Sequence, residues 1–167
     1  MKYTSAQANK LFRKLNEEYS SLLQNERESS TFLAALGEDP ETVRPEYDYA
    51  STQKALDEIE AKILKLKHAL NQFNISTRID EFDMTIDEML VYIPQLTRRK
   101  QKLFGMKNRL PKKRCSQSYN KTIIDYEYAN YSIEEVKRDF DAVSDELSRA
   151  QIALDTVNNS VEFELDI

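Results

Sequence analysis

An unbroken heptad pattern near the C-terminus constrains the fold of this chain more than any other feature. Apolar residues between positions 133 and 157 recur at alternating steps of three and four. This spacing places one apolar stripe along a helix, and a stripe of about 25 residues needs another helix to cover it. A capping box formed by Ser132 and Glu135 is predicted to begin the helix. The stripe residues are Ile133, Val136, Phe140, Val143, Leu147, Ala150, Leu154 and Val157.

Three further helices are predicted, over residues 4–36, 51–73 and 85–110. The first has apolar residues at three- and four-residue steps and is expected to end at Gly37, with Pro40 blocking its continuation. The second contains a strict heptad seam from Leu56 to Phe73. The third opens with a capping box, Thr85 with Glu88, and contains Pro94, which is expected to kink it.

Extended segments connect and follow these helices. Residues 121–128 are rich in β-branched and aromatic side chains, and residues 161–167 alternate apolar with acidic ones, so both predict strands. They are expected to pair with each other or with a neighbouring chain, and residues 45–49 are a third short candidate. The predicted fold is mainly α, with long antiparallel helices packed as a bundle or coiled coil and a small β element. The whole chain, 1–167, is predicted to be a single elongated domain.

The composition excludes several classes of protein. Only two of the 167 residues are glycine, too few for a P-loop or a dinucleotide-binding turn, and no cofactor is predicted. A single cysteine cannot form an internal disulfide, which favours a reducing compartment, and we predict a cytoplasmic location. No apolar run approaches the roughly 20 residues that span a bilayer, so no membrane partner is predicted.

The apolar seams predict self-association. An isolated helix is marginally stable in water, so each seam must be covered by another helix. Long helices in a short chain leave much surface exposed, and assembly into a homo-oligomer covers it. The alternative is that the four seams close on one another within one chain. If the seams are covered by assembly into a homo-oligomer, the protein is a self-associating scaffold or interaction module.

The charges are segregated along the chain. Between Met89 and Ile124 there are ten basic residues and no acid, whereas the whole chain has a net charge of −5. One interpretation is that the acidic fourth helix and C-terminal tail cover this basic segment, within one chain or between subunits. A second is a site for a polyanion, either nucleic acid or a phosphorylated ligand, with Tyr92, Phe104 and Tyr119 near enough in sequence to stack on bases. A third is a solvated face. The candidate anion-binding residues are Arg98, Arg99, Lys102, Lys107, Arg109, Lys112, Lys113 and Arg114.

No catalytic or metal site is predicted. Cys115 follows three basic residues that favour its thiolate, but its one potential histidine partner, His68, is distant in sequence. The acidic residues 80–83 lack the glycine of a calcium-binding loop and a nearby histidine. The sequence therefore favours a binding protein over an enzyme.

Several short motifs resemble the septicolysin-like group of small bacterial proteins. These are residues 68–71 with Asn74 and Thr77, then residues 84–90, a tyrosine-rich strand, a long helix containing Leu154 and Asp155, and a short C-terminal strand. The similarity covers about residues 56–167. It departs at the end, where that group has an Asn-Trp pair and this chain has no tryptophan. The resemblance implies a helical, oligomeric, bacterial cytoplasmic protein and supplies no catalytic residue.

Overall fold

The computed structural model describes residues 1–115 and 124–167. Helices dominate this part of the chain, and its strands form three antiparallel pairs. The predicted fold class, mainly α with a small β element, is confirmed. The elements in chain order are β1 (Lys2–Thr4), α1 (Ser5–Ser29), α2 (Pro40–Val43), α3 (Tyr49–Ser76), β2 (Arg78–Ile79), β3 (Met84–Thr85), α4 (Ile86–Lys107), β4 (Lys112–Arg114), β5 (Tyr126–Tyr128), α5 (Ile133–Ser160) and β6 (Glu162–Glu164).

Backbone contacts divide the chain into two compact units. Unit 1 consists of residues 1–76 and 157–167, and unit 2 consists of residues 77–156. The single elongated domain inferred from the sequence stays a prediction. No helix in the described ranges is long and apolar enough to cross a membrane.

Unit 1 is built on an antiparallel pair of helices, α1 and α3. Three contacts define their register. Lys67 Nζ lies 4.3 Å from the centre of the Phe12 ring, Tyr19 donates a 2.6 Å hydrogen bond to Glu60, and Gln53 donates a 2.7 Å bond to Glu26. From one contact to the next, the position on α1 rises by seven residues and the position on α3 falls by seven. The two heptad patterns are therefore aligned along the antiparallel pair. Leu56 and Phe73 of α3 are buried, and the main cluster of buried core residues in this unit consists of Ala8, Leu15, Ile59, Leu66, Leu70 and Leu165.

The two chain termini complete unit 1. Strand β6 pairs with β1, Tyr3 lies opposite Phe163, and the amino group of Met1 donates to the carbonyl of Leu165 at 3.0 Å. The Phe163 ring stacks on Phe73 with centroids 4.8 Å apart. The expected pairing of the C-terminal strand with residues 121–128 is therefore wrong. The N-terminal residues provide the partner strand, and Phe163 and Leu165 pack against the core formed by α1 and α3.

Unit 2 contains the β2–β3 hairpin, helix α4, the β4–β5 pair and helix α5 as far as Thr156. The Thr85–Glu88 capping box that begins α4 is present as predicted, and Pro94 lies within the helix. Phe104 packs against Phe140 of α5 with ring centroids 6.1 Å apart, and the Tyr131 hydroxyl bonds the carbonyl of Met106 at 2.8 Å. Together with a hydrogen bond from Tyr92 to Glu146, these contacts make α4 and α5 antiparallel. The buried apolar residues of this unit are Ile79, Ile86, Met89, Leu96, Leu103, Val136, Val143, Leu147 and Ala150.

The predicted end of the first helix is wrong, and the connection after it contains a short helix that was not predicted. Helix α1 ends at Ser29 instead of Leu36, because the apolar stripe lapses and Ser30 and Thr31, weaker helix formers than alanine or leucine, follow. Gly37 has the expected positive φ, of 87°, but it lies in a separate turn. Pro40 begins the short helix α2 behind an Asp39 cap, consistent with the tolerance of a first helical position for proline.

The remaining boundaries differ by smaller amounts. Residues 44–48 contain no strand, and α3 starts at Tyr49, where the Asp48 carboxylate accepts from the backbone N–H of Ala50 at 3.1 Å. Helix α4 ends at Lys107, three residues early. Of the strand predicted over 121–128, Tyr126–Tyr128 is present, and residues 121–123 lie outside the described ranges.

Candidate functional site

The eight candidate anion-binding residues, here called the basic strip, all lie in unit 2. Arg98, Arg99 and Lys102 are exposed on α4, whereas Lys107 is half-buried in its last turn. Asn108 caps the helix, and the chain then turns through Pro111 into β4. The strip therefore continues from a helix onto a strand, which places cations along two elements. Its strand part consists of Lys112, Lys113 and Arg114, and Arg109 lies in the turn between the two elements.

The acids on the first part of α5 do not cover the strip. No ion pair joins a strip residue to an acid at positions 133–150, all of which are described. Helix α5 turns an aromatic side chain towards α4 instead, with Lys107 Nζ 3.4 Å and Lys100 Nζ 5.8 Å from the centre of the Phe140 ring. The proposed coverage of the basic helix is thus not observed for the acids at positions 133–150, and seven of the eight strip residues, all except Lys107, are exposed.

The acids of α5 have other roles. Glu134 pairs with Lys137 one turn later, at 2.8 Å, which lowers the pKa of its carboxyl. Glu146 accepts a hydrogen bond from the hydroxyl of Tyr92, and this bond raises the pKa of the tyrosine. The one strip residue with an ion pair in the described ranges is Arg109, whose guanidinium lies 3.9 Å from Glu127 on β5.

Strands β4 and β5 form an exposed two-stranded ribbon. Lys112 lies opposite Tyr128, Lys113 opposite Glu127, and Arg114 opposite Tyr126. Because residues directly opposite each other in an antiparallel pair point to the same side, the ribbon has two different faces. One has two cations and two tyrosines; the other has Lys113 and Glu127. A groove of about 410 Å³ borders the second face and is lined by Asn108, Arg109, Leu110, Lys113, Glu127, Tyr128 and Ala129.

The aromatic residues proposed from the sequence to stack on a ligand have different surroundings. Tyr92 is half-buried with its hydroxyl bonded to Glu146, whereas Phe104 is exposed and packs against Phe140. Tyr119 lies outside the described ranges. The strand predicted over residues 121–128 includes Tyr126 and Tyr128, but their position beside the strip was not predicted. The pattern that could have predicted this position is the two-residue spacing of the tyrosines and of Lys112 and Arg114, because side chains two residues apart in a strand lie on the same face.

The acidic turn between β2 and β3 is held by protein partners. Asp83, at a positive φ of 50°, accepts from Arg78 at 2.5 Å, and Glu81 pairs with Arg149 of α5 at 2.8 Å. Glu88 is engaged in the cap of α4. These acids therefore stabilise the hairpin and its contact with α5.

A crystal structure of a functionally unknown conserved protein from Corynebacterium diphtheriae is similar to this chain, with a TM-score of 0.63 and 18% sequence identity. The match covers 98% of this chain and 100% of the other. At this identity the likeness shows a common fold and no activity. No family model and no curated protein matches the chain. Similarity to the septicolysin-like group stays a prediction.

Proposed function

We propose that this protein binds a phosphate-bearing polyanion through the basic strip. The observation that supports this most directly is the exposed row of cations along α4 and β4, which no acid of α5 between positions 133 and 150 covers. Like charges crowded on neighbouring turns repel one another. A ligand with repeated negative charges removes that repulsion and releases its own counterions when it binds.

The acidic character of the whole chain does not oppose this proposal. At physiological ionic strength the Debye length is about 8 Å, so acids farther away than that are largely screened from a ligand on the strip. The ligand therefore experiences mainly the local charge of the strip. Arginines suit phosphate groups in particular, because the guanidinium presents a planar fork of donors.

The direct experiment is a binding titration of the wild-type protein with a labelled duplex DNA at a series of salt concentrations. We expect binding at low salt, with log K falling linearly against log salt. About six phosphate contacts predict a slope near −5. Absence of binding to duplex DNA, to oligo-dT and to heparin at about 20 mM salt, or an affinity insensitive to salt, would contradict the proposal.

Self-association is a second candidate function, supported by a different observation. Leu33 and Leu36, in the connection between α1 and α2, are 95% and 108% exposed. Leucines this exposed favour contact with another molecule, although the helical seams themselves are largely buried within the chain. Because the seams are buried within the chain, they do not need a second copy of the protein to cover them.

Light scattering after size exclusion tests this second candidate. A self-associating protein gives a mass that is a multiple of 19.5 kDa, and replacing both leucines (Leu33→Gln with Leu36→Gln) is expected to lower it. The control is Leu64→Gln, an exposed leucine on α3, which should leave the mass unchanged. A wild-type mass of 19.5 kDa at tens of micromolar would contradict self-association.

A further inference from the structure

The β4–β5 ribbon places two tyrosine rings and two cations on one face. Lys112, Arg114, Tyr126 and Tyr128 share this face by the register of the strands. Tyr126 is 45% exposed and Tyr128 is 61% exposed, so both rings are open to a ligand. Aromatic rings interleaved with cations are the combination that binds single-stranded nucleic acid without reading its sequence.

The acids of the ribbon lie on its other face. Glu127 alternates with the two tyrosines and is paired with Arg109. Asp125 continues the same alternation, since its carbonyl accepts from the backbone N–H of Cys115 at 2.9 Å and so extends the ladder. The tyrosine face therefore presents positive charge and phenol hydroxyls without a carboxylate of β5 beside them.

The spacing of the rings distinguishes a single strand from a duplex. Tyr126 and Tyr128 are two residues apart, so a strand rise of about 3.4 Å per residue separates them by about 7 Å. Bases in a duplex are stacked at half that distance and have their faces covered by their neighbours. A single strand can spread successive bases and lay one on each ring.

The ammonium group of Lys112 makes weak cation–π contacts with the two tyrosine rings. Its Nζ lies 4.2 Å from the centre of the Tyr126 ring and 5.4 Å from that of Tyr128. An exposed cation–π contact of this kind is worth roughly a two- to fivefold factor in an equilibrium. Stacking of one base on one aromatic side chain is worth roughly five- to a hundredfold, so a base can displace the lysine. The displaced ammonium group is then free to pair with a phosphate of the bound strand.

We propose that the face formed by Lys112, Arg114, Tyr126 and Tyr128 is a stacking platform for single-stranded nucleic acid. Bases lie on the two tyrosine rings, and the lysine and arginine contact the phosphates. This inference rests on the proposed function and deepens it, because it names the class of polyanion and the residues that select it.

The test compares two double variants of the full chain with the wild type. Replacing both tyrosines by leucine (Tyr126→Leu with Tyr128→Leu) removes the rings, whereas replacing both by phenylalanine keeps them and removes only the hydroxyls. The probes are a labelled oligo-dT, a duplex DNA and heparin at low salt. Far-UV circular dichroism and the melting temperature check that each variant is folded.

We expect the leucine variant to bind oligo-dT at least tenfold more weakly, with duplex and heparin affinities within about twofold of wild type. The phenylalanine variant is expected to bind all three probes as the wild type does. If the leucine variant is misfolded, the wild type and the folded phenylalanine variant test the platform through their preference: both are expected to bind oligo-dT more tightly than the duplex, and tighter binding of the duplex by both would contradict the platform.

Three results would overturn the inference. If the folded leucine variant binds oligo-dT as tightly as the wild type, the rings do not stack on bases. If the wild type binds heparin or duplex DNA but not oligo-dT, the platform is wrong and the proposed polyanion function survives. If the wild type binds none of the probes, both proposals are wrong.

Discussion

The hydroxyl of Tyr47 donates a 2.7 Å hydrogen bond to Oε1 of Glu26, joining the segment before α3 to the last turn of α1. The same oxygen accepts from the side-chain amide of Gln53 at 2.7 Å. A carboxylate acceptor favours the protonated phenol, so the pKa of Tyr47 is raised to about 12 from its ordinary value of 10.0. This carboxylate therefore fixes where the α1–α3 connection ends.

The Tyr47–Glu26 bond predicts a late step in the alkaline titration of the protein. Because the folded pKa lies above the unfolded one, the bond stabilises the fold below about pH 10, and this contribution is lost as the pH rises towards 12. Ultraviolet absorbance of tyrosinate measures the step. Tyr47→Phe should reduce this step by the absorbance of one tyrosinate, while the contribution of other tyrosines with a raised pKa, such as Tyr92, should remain. A wild-type titration indistinguishable from that of Tyr47→Phe would contradict the prediction.

The capping box of α4 predicts a stability difference between two threonines. The Thr85 hydroxyl accepts from the backbone N–H of Glu88 at 3.2 Å, and the Glu88 carboxylate accepts from the Thr85 N–H at 2.7 Å. Thr85→Ala should lower the free energy of unfolding by roughly 0.5–2 kcal/mol, measured by urea denaturation. The control is Thr97→Ala within the same helix, where alanine is the better helix former and a change below about 0.5 kcal/mol is expected. Equal effects at both positions would contradict a capping role.

The capping box of Thr85 and Glu88 also predicts how the free energy of unfolding changes at acidic pH. Hydrogen bonds from the Thr85 backbone and side chain lower the pKa of Glu88 below its ordinary value of 4.5. The stabilising contribution of the carboxylate is therefore present above about pH 4.5 and disappears as the pH falls through the lowered pKa. Glu88→Gln keeps the reciprocal cap but cannot titrate. Its difference in stability from wild type, measured by urea denaturation, should shrink as the pH is lowered from 6 to about 3. A difference independent of pH would contradict this.

The packing of α3 predicts a contrast between two leucines on one helix. Leu66 is 0% exposed within the core of unit 1, whereas Leu64 is 73% exposed. Leu66→Ala should lower the free energy of unfolding by roughly 2–5 kcal/mol, because it removes buried methyl groups and leaves a cavity. Leu64→Ala should change it by about 0.5 kcal/mol or less. Urea denaturation measures both, and similar values would show that the alignment of α1 with α3 is wrong.

The long helices could be predicted from the sequence because their apolar periodicity coincides with burial. In α3 the heptad seam residues Leu56, Ile59, Leu66, Leu70 and Phe73 are buried, and the Thr85 cap marks the start of α4. The end of α1 could not be placed, since Leu33 and Leu36 resume the periodicity after the helix has ended. Periodicity alone does not distinguish a buried stripe from exposed leucines in a turn.

The strand partners and the ribbon face could not be derived from the sequence. Short strands have little pairing specificity of their own, and the register of Phe163 against Tyr3 depends on how α1 and α3 bring the termini together. The basic strip was identified from charge alone. The two tyrosines beside the strip were not identified, because the face on which Tyr126 and Tyr128 lie is set by their register against β4.

The most direct test of the central claim compares two triple variants with equal charge. One replaces the strip residues Arg98, Arg99 and Lys102 on α4 with glutamine, and the other replaces Lys54, Lys62 and Lys65, exposed lysines on α3. Both change the net charge from −5 to −8, since each removes three positive charges. Affinity for duplex DNA is measured across a salt series. The strip variant should bind more weakly, with a log–log salt slope shallower by about 3, and the α3 variant should bind as the wild type does. Equal binding by the two variants would contradict a polyanion site on this strip.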